Sequence, residues 1–132
     1  MTRRQIKKAL IKEYVTKKRE DNSHDIIILL NDKEIYVKIV SVTSNTIFSF
    51  NSKFMWEIKK GKVSGIRFIK YSSTLIKLKG FMQKENRVVI LTNKPYKILK
   101  QINESDIKDV SNEKFVHGVL VTRNPLSIYD IL

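Results

Sequence analysis

Residues 26–30 read Ile-Ile-Ile-Leu-Leu, apolar at every position, and after Asn31-Asp32 a second run follows over residues 34–42, E-I-Y-V-K-I-V-S-V. Five consecutive apolar residues without alternation predict a strand covered on both faces. Asn31-Asp32 is turn chemistry, so the two runs predict a β-hairpin. Successive side chains alternate across a strand, which sends Ile35, Val37 and Ile39 one way and Glu34, Tyr36 and Lys38 the other. Lys38 is the anomaly. An ammonium in such a run costs free energy unless it reaches water or meets a carboxylate, and Asp25 and Glu34 are the acids within reach along the chain.

The rest of the chain arranges itself around that hairpin. Residues 3–19 hold no Gly or Pro and place Ile6, Leu10 and Tyr14 on one stripe, predicting an amphipathic helix with Lys17, Lys18 and Arg19 in its last turn. Asp21-Asn22-Ser23 breaks it. Residues 45–50, 63–71 and 74–81 read as strands separated by Gly61, Gly65 and Ser72-Ser73. Residues 53–60, with Phe54, Trp56 and Ile58 at period two but no breaker, admit either a strand or a helix. Farther on, residues 87–91 predict a strand, Asn93 and Pro95 start a helix carrying Tyr96, Ile98, Leu99 and Ile102, and residues 115–122 predict another strand. That is a strand-helix-strand unit, most simply a right-handed crossover. Asn124-Pro125 opens a last short helix ending at Leu132. The expected fold is α/β or α+β: one domain, residues 1–132, with an N-terminal helix, a mixed β-sheet and a C-terminal strand-helix-strand unit.

Charge narrows the partner class. The chain has 26 basic and 13 acidic residues, a net charge of +13, which points to polyanions. Residues 2–19 carry net +7 and residues 53–84 net +8, while residues 20–52, the hairpin region, carry net −3. An acidic pocket on a basic surface is one reading of this layout; turn and strand-end acids without further role are the other. The longest apolar run is too short to span a bilayer and no secretory pattern follows Met1, so a cytoplasmic location with no membrane partner is expected. With no cysteine and two histidines, His24 and His117, thiolate and histidine-rich metal sites are excluded. A hard ion such as magnesium on carboxylates is the remaining metal chemistry.

Asp25, Glu34 and Lys38 have the residue types for that chemistry: carboxylates on adjacent strands to hold the ion, and a lysine to orient water or offset developing charge. Helix, hairpin, aspartate and a lysine deep in the second strand together resemble the PD-(D/E)XK nuclease superfamily. The resemblance implies Asp25 as its aspartate, Lys38 as its lysine and Glu13 as an accessory acid, with magnesium as cofactor. The acid of the acid-x-lysine pattern falls on Tyr36, which departs from the family, and Glu34, one pleat back, is the substitute. Under this reading Asp25 and Glu34 are the metal ligands. A literal acid-x-lysine occurs as Glu57-Ile58-Lys59, where the aspartate would have to come from Asp25 or Asp32 through the fold.

A second constellation interleaves cations with Phe54, Trp56, Phe68 and Tyr71, the way nucleic acids are gripped, with cations on phosphates and rings against bases. The expected nucleic-acid-binding residues are Arg3, Arg4, Lys7 and Lys8 on the helix and Lys59, Lys60, Lys62, Arg67, Lys70, Lys77 and Lys79 in the second basic block. The function expected is a small basic protein binding DNA or RNA through phosphates, on a nuclease-like scaffold without robust activity and with no cofactor. The alternatives are a magnesium-dependent nuclease and an accessory subunit docking on an acidic protein or a nucleoprotein complex.

Overall fold

The structure is a computed structural model that describes residues 1–131, with side chains described to Ile128. Helix α1 (Arg3–Glu13) is followed by three strands, β1 (Val15–Lys18), β2 (Ile26–Leu30) and β3 (Lys33–Val40). A meander β4 (Thr46–Ser52), β5 (Met55–Ser64) and β6 (Arg67–Lys77) leads through one helical turn, α2 (Lys79–Met82), into β7 (Arg87–Leu91). Then come β8 (Lys97–Asn103), β9 (Asp106–Asp109), β10 (Phe115–Val116), β11 (Val119–Thr122) and a 3₁₀ segment, Pro125–Ile131. The chain is mixed α+β, and no helix among the described residues is long and apolar enough to cross a membrane.

Two sheets result. The first has the order β1-β2-β3-β7-β11-β10, the second β6-β5-β4-β8-β9. Within the first, β3, β7 and β11 run parallel, and each connection between them passes through the second sheet. Strands of the second sheet thus take the place that crossover helices hold in an α/β fold.

The first sheet is covered on both faces, as the apolar run at its centre requires. On one face Ile26, Ile28, Ile35, Val37, Ile39, Val88 and Ile90 pack under Ile6, Leu10 and Tyr14 of α1 and under Ile128. The Tyr14 hydroxyl donates to the Pro125 carbonyl at 3.0 Å, tying the helix end to the 3₁₀ segment. On the other face Val40, Val89, Leu91 and Val119 meet Phe48, Phe50, Trp56 and Ile58 of the second sheet, with Phe81 closing over Trp56. Phe48, Phe50 and Trp56 pack edge to face at centroid distances of 4.8–5.3 Å, the preferred geometry of ring quadrupoles.

The hairpin forms as expected, with Asn31 and Asp32 both at positive φ (50° and 61°), the backbone that a two-residue turn between twisted strands demands. Several local expectations give way to tertiary pairing. Helix α1 stops at Glu13, and residues 15–18 become β1, because the free edge of β2 offers them a full ladder of hydrogen bonds. Residues 67–77 are one strand with no break at Ser72-Ser73; the irregularity is a bulge opposite Lys60 and Gly61. The strand expected over residues 74–81 therefore ends at Lys77, and Lys79 begins α2.

The largest difference is at residues 95–103. No helix follows Pro95: β8 pairs parallel with β4 and antiparallel with β9, so the strand-helix-strand unit does not form. Ile98 and Ile102 are four apart, a spacing that suits one helical turn and two strand pleats alike, and the exposed backbone edge of β4 decides between them. Residues 115–122 are two short strands rather than one, reversed at His117 and Gly118, both at positive φ. Of the final helix, Leu132 lies outside the described residues.

Candidate nucleic-acid interface

Asp25 and Glu34 occupy opposite ends of the hairpin. Ile26 pairs with Val37, which sets Asp25 across from Lys38, and Glu34 lies four residues back along β3, about 13 Å away at the rise of a strand. Both carboxylates are also engaged. Asp25 Oδ2 accepts from the Ile39 backbone N–H at 2.6 Å, and its Oδ1 takes the Arg3 guanidinium. Glu34 accepts from the Tyr36 hydroxyl at 2.7 Å and from Lys17 at 3.1 Å. The two expected metal ligands do not converge on one ion, and among the described residues no group of three His, Asp or Glu is placed to hold one. Glu13, the expected accessory acid, ends α1 exposed. Glu57 and Lys59 point away from the first sheet, since Trp56 and Ile58 on either side of them point into the core. Glu57 is held there by Asn51 at 3.0 Å, and neither Asp25 nor Asp32 reaches that face.

What does assemble is a cleft of about 220 Å³ at the mouth between the sheets. Lys38 and Ser41 of the first sheet's β3 end form one wall, Ile58, Lys60, Thr74 and Ile76 of the second sheet the other, and Arg3 stands over it from the first turn of α1. It shares Arg3, Ser41 and Lys60 with a second depression of about 460 Å³, which adds Arg4 and is bordered by Thr43, Thr46 and Thr92, whose hydroxyls bond one another or the Val42 backbone. Arg3 is fixed twice, to Asp25 and through a 2.9 Å bond to the Ile39 carbonyl. The capping box of Thr2 and Gln5 holds the helix start that carries it.

Lys38 makes no hydrogen bond or ion pair to a described residue. Burial lowers its pKa from the usual lysine value; the Asp25 carboxylate opposes that and the Arg3 charge adds to it. The ammonium therefore reaches the cleft rather than a partner, which answers the anomaly read from the sequence. Asp25 is the acid beside this cluster, and it is already spent on Arg3 and a backbone N–H. Cations converging on a cleft that also holds Ser41 and Thr74 suit an anion bearing several oxygens, such as a phosphodiester.

The expected binding residues divide. Arg3 and Lys60 line the cleft, Arg4 lines the depression beside it, and Lys62 and Arg67 stand beyond Lys60 on the hairpin of β5 and β6. Lys7 lines a separate depression with Ile11, Thr16 and Arg19, while Lys8 is exposed on α1. Lys59 and Lys70 flank Glu57 on the outer face of the second sheet, Lys77 lies at the end of β6, and Lys79 in α2. Of the aromatic residues expected beside them, Trp56 is core, Phe68 rests against Tyr96 at 5.9 Å, and Phe54 and Tyr71 are exposed. Ser41 and Thr74 are cleft residues that no sequence pattern singles out, because isolated hydroxyls in strands and turns carry no spacing signal.

Comparison with known proteins finds no counterpart: no protein-family model, curated protein or solved structure matches this chain.

Proposed function

We propose that this protein binds nucleic acid through its phosphate backbone, with the cleft between the two sheets as the primary contact. The observation that carries this reading is the convergence of Arg3, Lys38 and Lys60 on one cleft beside a single carboxylate that is already paired. A chain of net charge +13 would leave such cations in water unless they served a polyanion, and Lys38 is held where burial costs it free energy. Phosphate contacts position a protein without reading sequence, so binding is expected to be broad.

The test is a salt-titrated binding assay against single- and double-stranded DNA and RNA, with and without magnesium. Neutralising five or more phosphates on duplex DNA gives a slope of log affinity against log salt of about −4 or steeper. The Arg4→Gln/Lys60→Gln protein should lose affinity across all sequences, with a slope shallower by about 2. A flat salt response, or no binding at low salt, overturns the reading. Cleavage that requires magnesium and disappears in Asp25→Asn would favour the nuclease alternative instead.

A further inference from the structure

Beyond the cleft, β5 and β6 outrun the sheet they belong to. The β4 strand pairs with β5 only as far as Lys60, with a last bond from the Gly61 N–H to the Asn45 carbonyl, so residues 61–64 and 67–70 pair with one another and with no third strand. They form a two-stranded ribbon roughly four residues long per strand, about 13 Å. Its turn has Gly65 at φ +62° followed by Ile66, the geometry of a tight hairpin whose first central residue must be glycine. The base is fixed. A Cβ on Gly61 would collide with the Ile69 carbonyl oxygen and the Phe68 ring, so the strands close tightly there. Tyr96 buttresses one face, its ring against Phe68 and its hydroxyl donating to the Ile66 carbonyl at 3.3 Å.

The other face is uncovered. Register places Lys62 opposite Ile69 and Ser64 opposite Arg67 on it, and alternation along β5 continues it from Lys60 in the cleft. Ile66 at the tip is 94% exposed and Ile69 50%. Residues 58–84 contain no acid, so nothing on the ribbon neutralises these cations.

We propose that this ribbon seats in the major groove of duplex DNA, with Lys62 and Arg67 on phosphates and base edges and Ile66 against bases at the groove floor. The inference rests on the phosphate-binding reading of the cleft and goes past it by naming the duplex, the groove and the reading element. A two-stranded ribbon matches a groove about 12 Å wide and 8.5 Å deep, whereas the minor groove, about 6 Å wide, excludes it. The thymine methyl gives an exposed isoleucine an apolar partner there. A-form RNA closes its major groove to such an element, so duplex RNA is disfavoured.

The experiment measures anisotropy of the full-length protein on three 20-base-pair DNA duplexes of one sequence: unmodified, with glucosylated 5-hydroxymethylcytosine filling the major groove, and with netropsin occupying the minor groove. Filling the major groove should weaken binding by about tenfold or more, and netropsin by less than about twofold. Ile66→Ser, at a tip that supports no core contact, should weaken binding to the unmodified duplex by about fivefold and leave thermal stability unchanged. Indifference to the filled major groove, competition by netropsin, or preference for single strands, with the steep salt dependence intact, overturns the ribbon proposal and spares the cleft. Absence of any salt-dependent binding overturns both.

Discussion

The two ends of the β2-β3 hairpin each place a carboxylate beside a cation, yet they do different things. At the Glu34 end each of these charges has a partner of opposite sign: Lys17 bonds both Glu20 and Glu34, Tyr36 bonds Glu34, and Lys84 lies over the Tyr36 ring and 3.5 Å from Asp21. These groups hold one another and the solvent screens them, so the cluster is a solvated network with little to offer a ligand. At the Asp25 end the carboxylate serves the backbone, accepting from Ile39, and meets one cation of the three gathered there. Local charge counts therefore mislead. The region of net −3 contains the site with an excess of positive charge, because Arg3 and Lys60 arrive from the basic blocks on either side of it in sequence.

Removing each carboxylate in turn separates the two ends. Asp25→Ala strands the Ile39 N–H inside the sheet and should cost about 2–3 kcal/mol in urea denaturation, mostly from that unpaired donor since Arg3 stays half in water. Glu34→Ala frees Lys17, which stays half in water, and the half-buried Tyr36 hydroxyl, strands no backbone donor, and should change the denaturation midpoint less. Equal losses at the two positions would show that the ends are not distinct.

A smaller effect separates them from the cation side. Lys38→Met removes a desolvated charge with no bonded partner, so stability should hold or rise, while affinity for duplex DNA falls about threefold and the salt slope becomes shallower by about 0.9. Lys17→Met should leave affinity and slope as they were. If the two lysine variants bind alike, the cleft is not where phosphate sits.

The smallest effect comes from His24, in the loop between β1 and β2. Its ring is 1% exposed, lies edge-on to Tyr36 at 5.0 Å, and accepts from the Glu20 N–H through Nε2 at 3.3 Å. Burial lowers its pKa below the ordinary histidine value of 6.5; Asp21, Glu20 and Asp25 pull it back up and Lys84 pushes it down. The fold favours the neutral ring, so its contribution is complete above pH 6.5 and is lost as pH falls through the lower folded value. The urea midpoint should drift down between pH 7 and pH 5 in the parent and less in His24→Gln. A drift that persists unchanged in the variant would assign it to other groups.

By itself the sequence determined the features that depend on neighbours in the chain. The five apolar residues of β2 demanded cover on both faces, Asn31-Asp32 made the turn, and alternation sent Lys38 away from α1. Tertiary structure decided what depends on which backbone edge is free. Residues 15–18 and 97–103 carry patterns compatible with helix, and each became a strand because β2 and β4 had unpaired N–H and C=O groups to offer. Tertiary structure also decided which charges meet. Arg3, Lys38 and Lys60 are spread over 58 residues and share no spacing, and only the stacking of one sheet on the other makes them neighbours. Asp25 and Glu34, which looked like partners at nine residues apart, are separated because an antiparallel hairpin returns Lys38, not Glu34, to the level of Asp25.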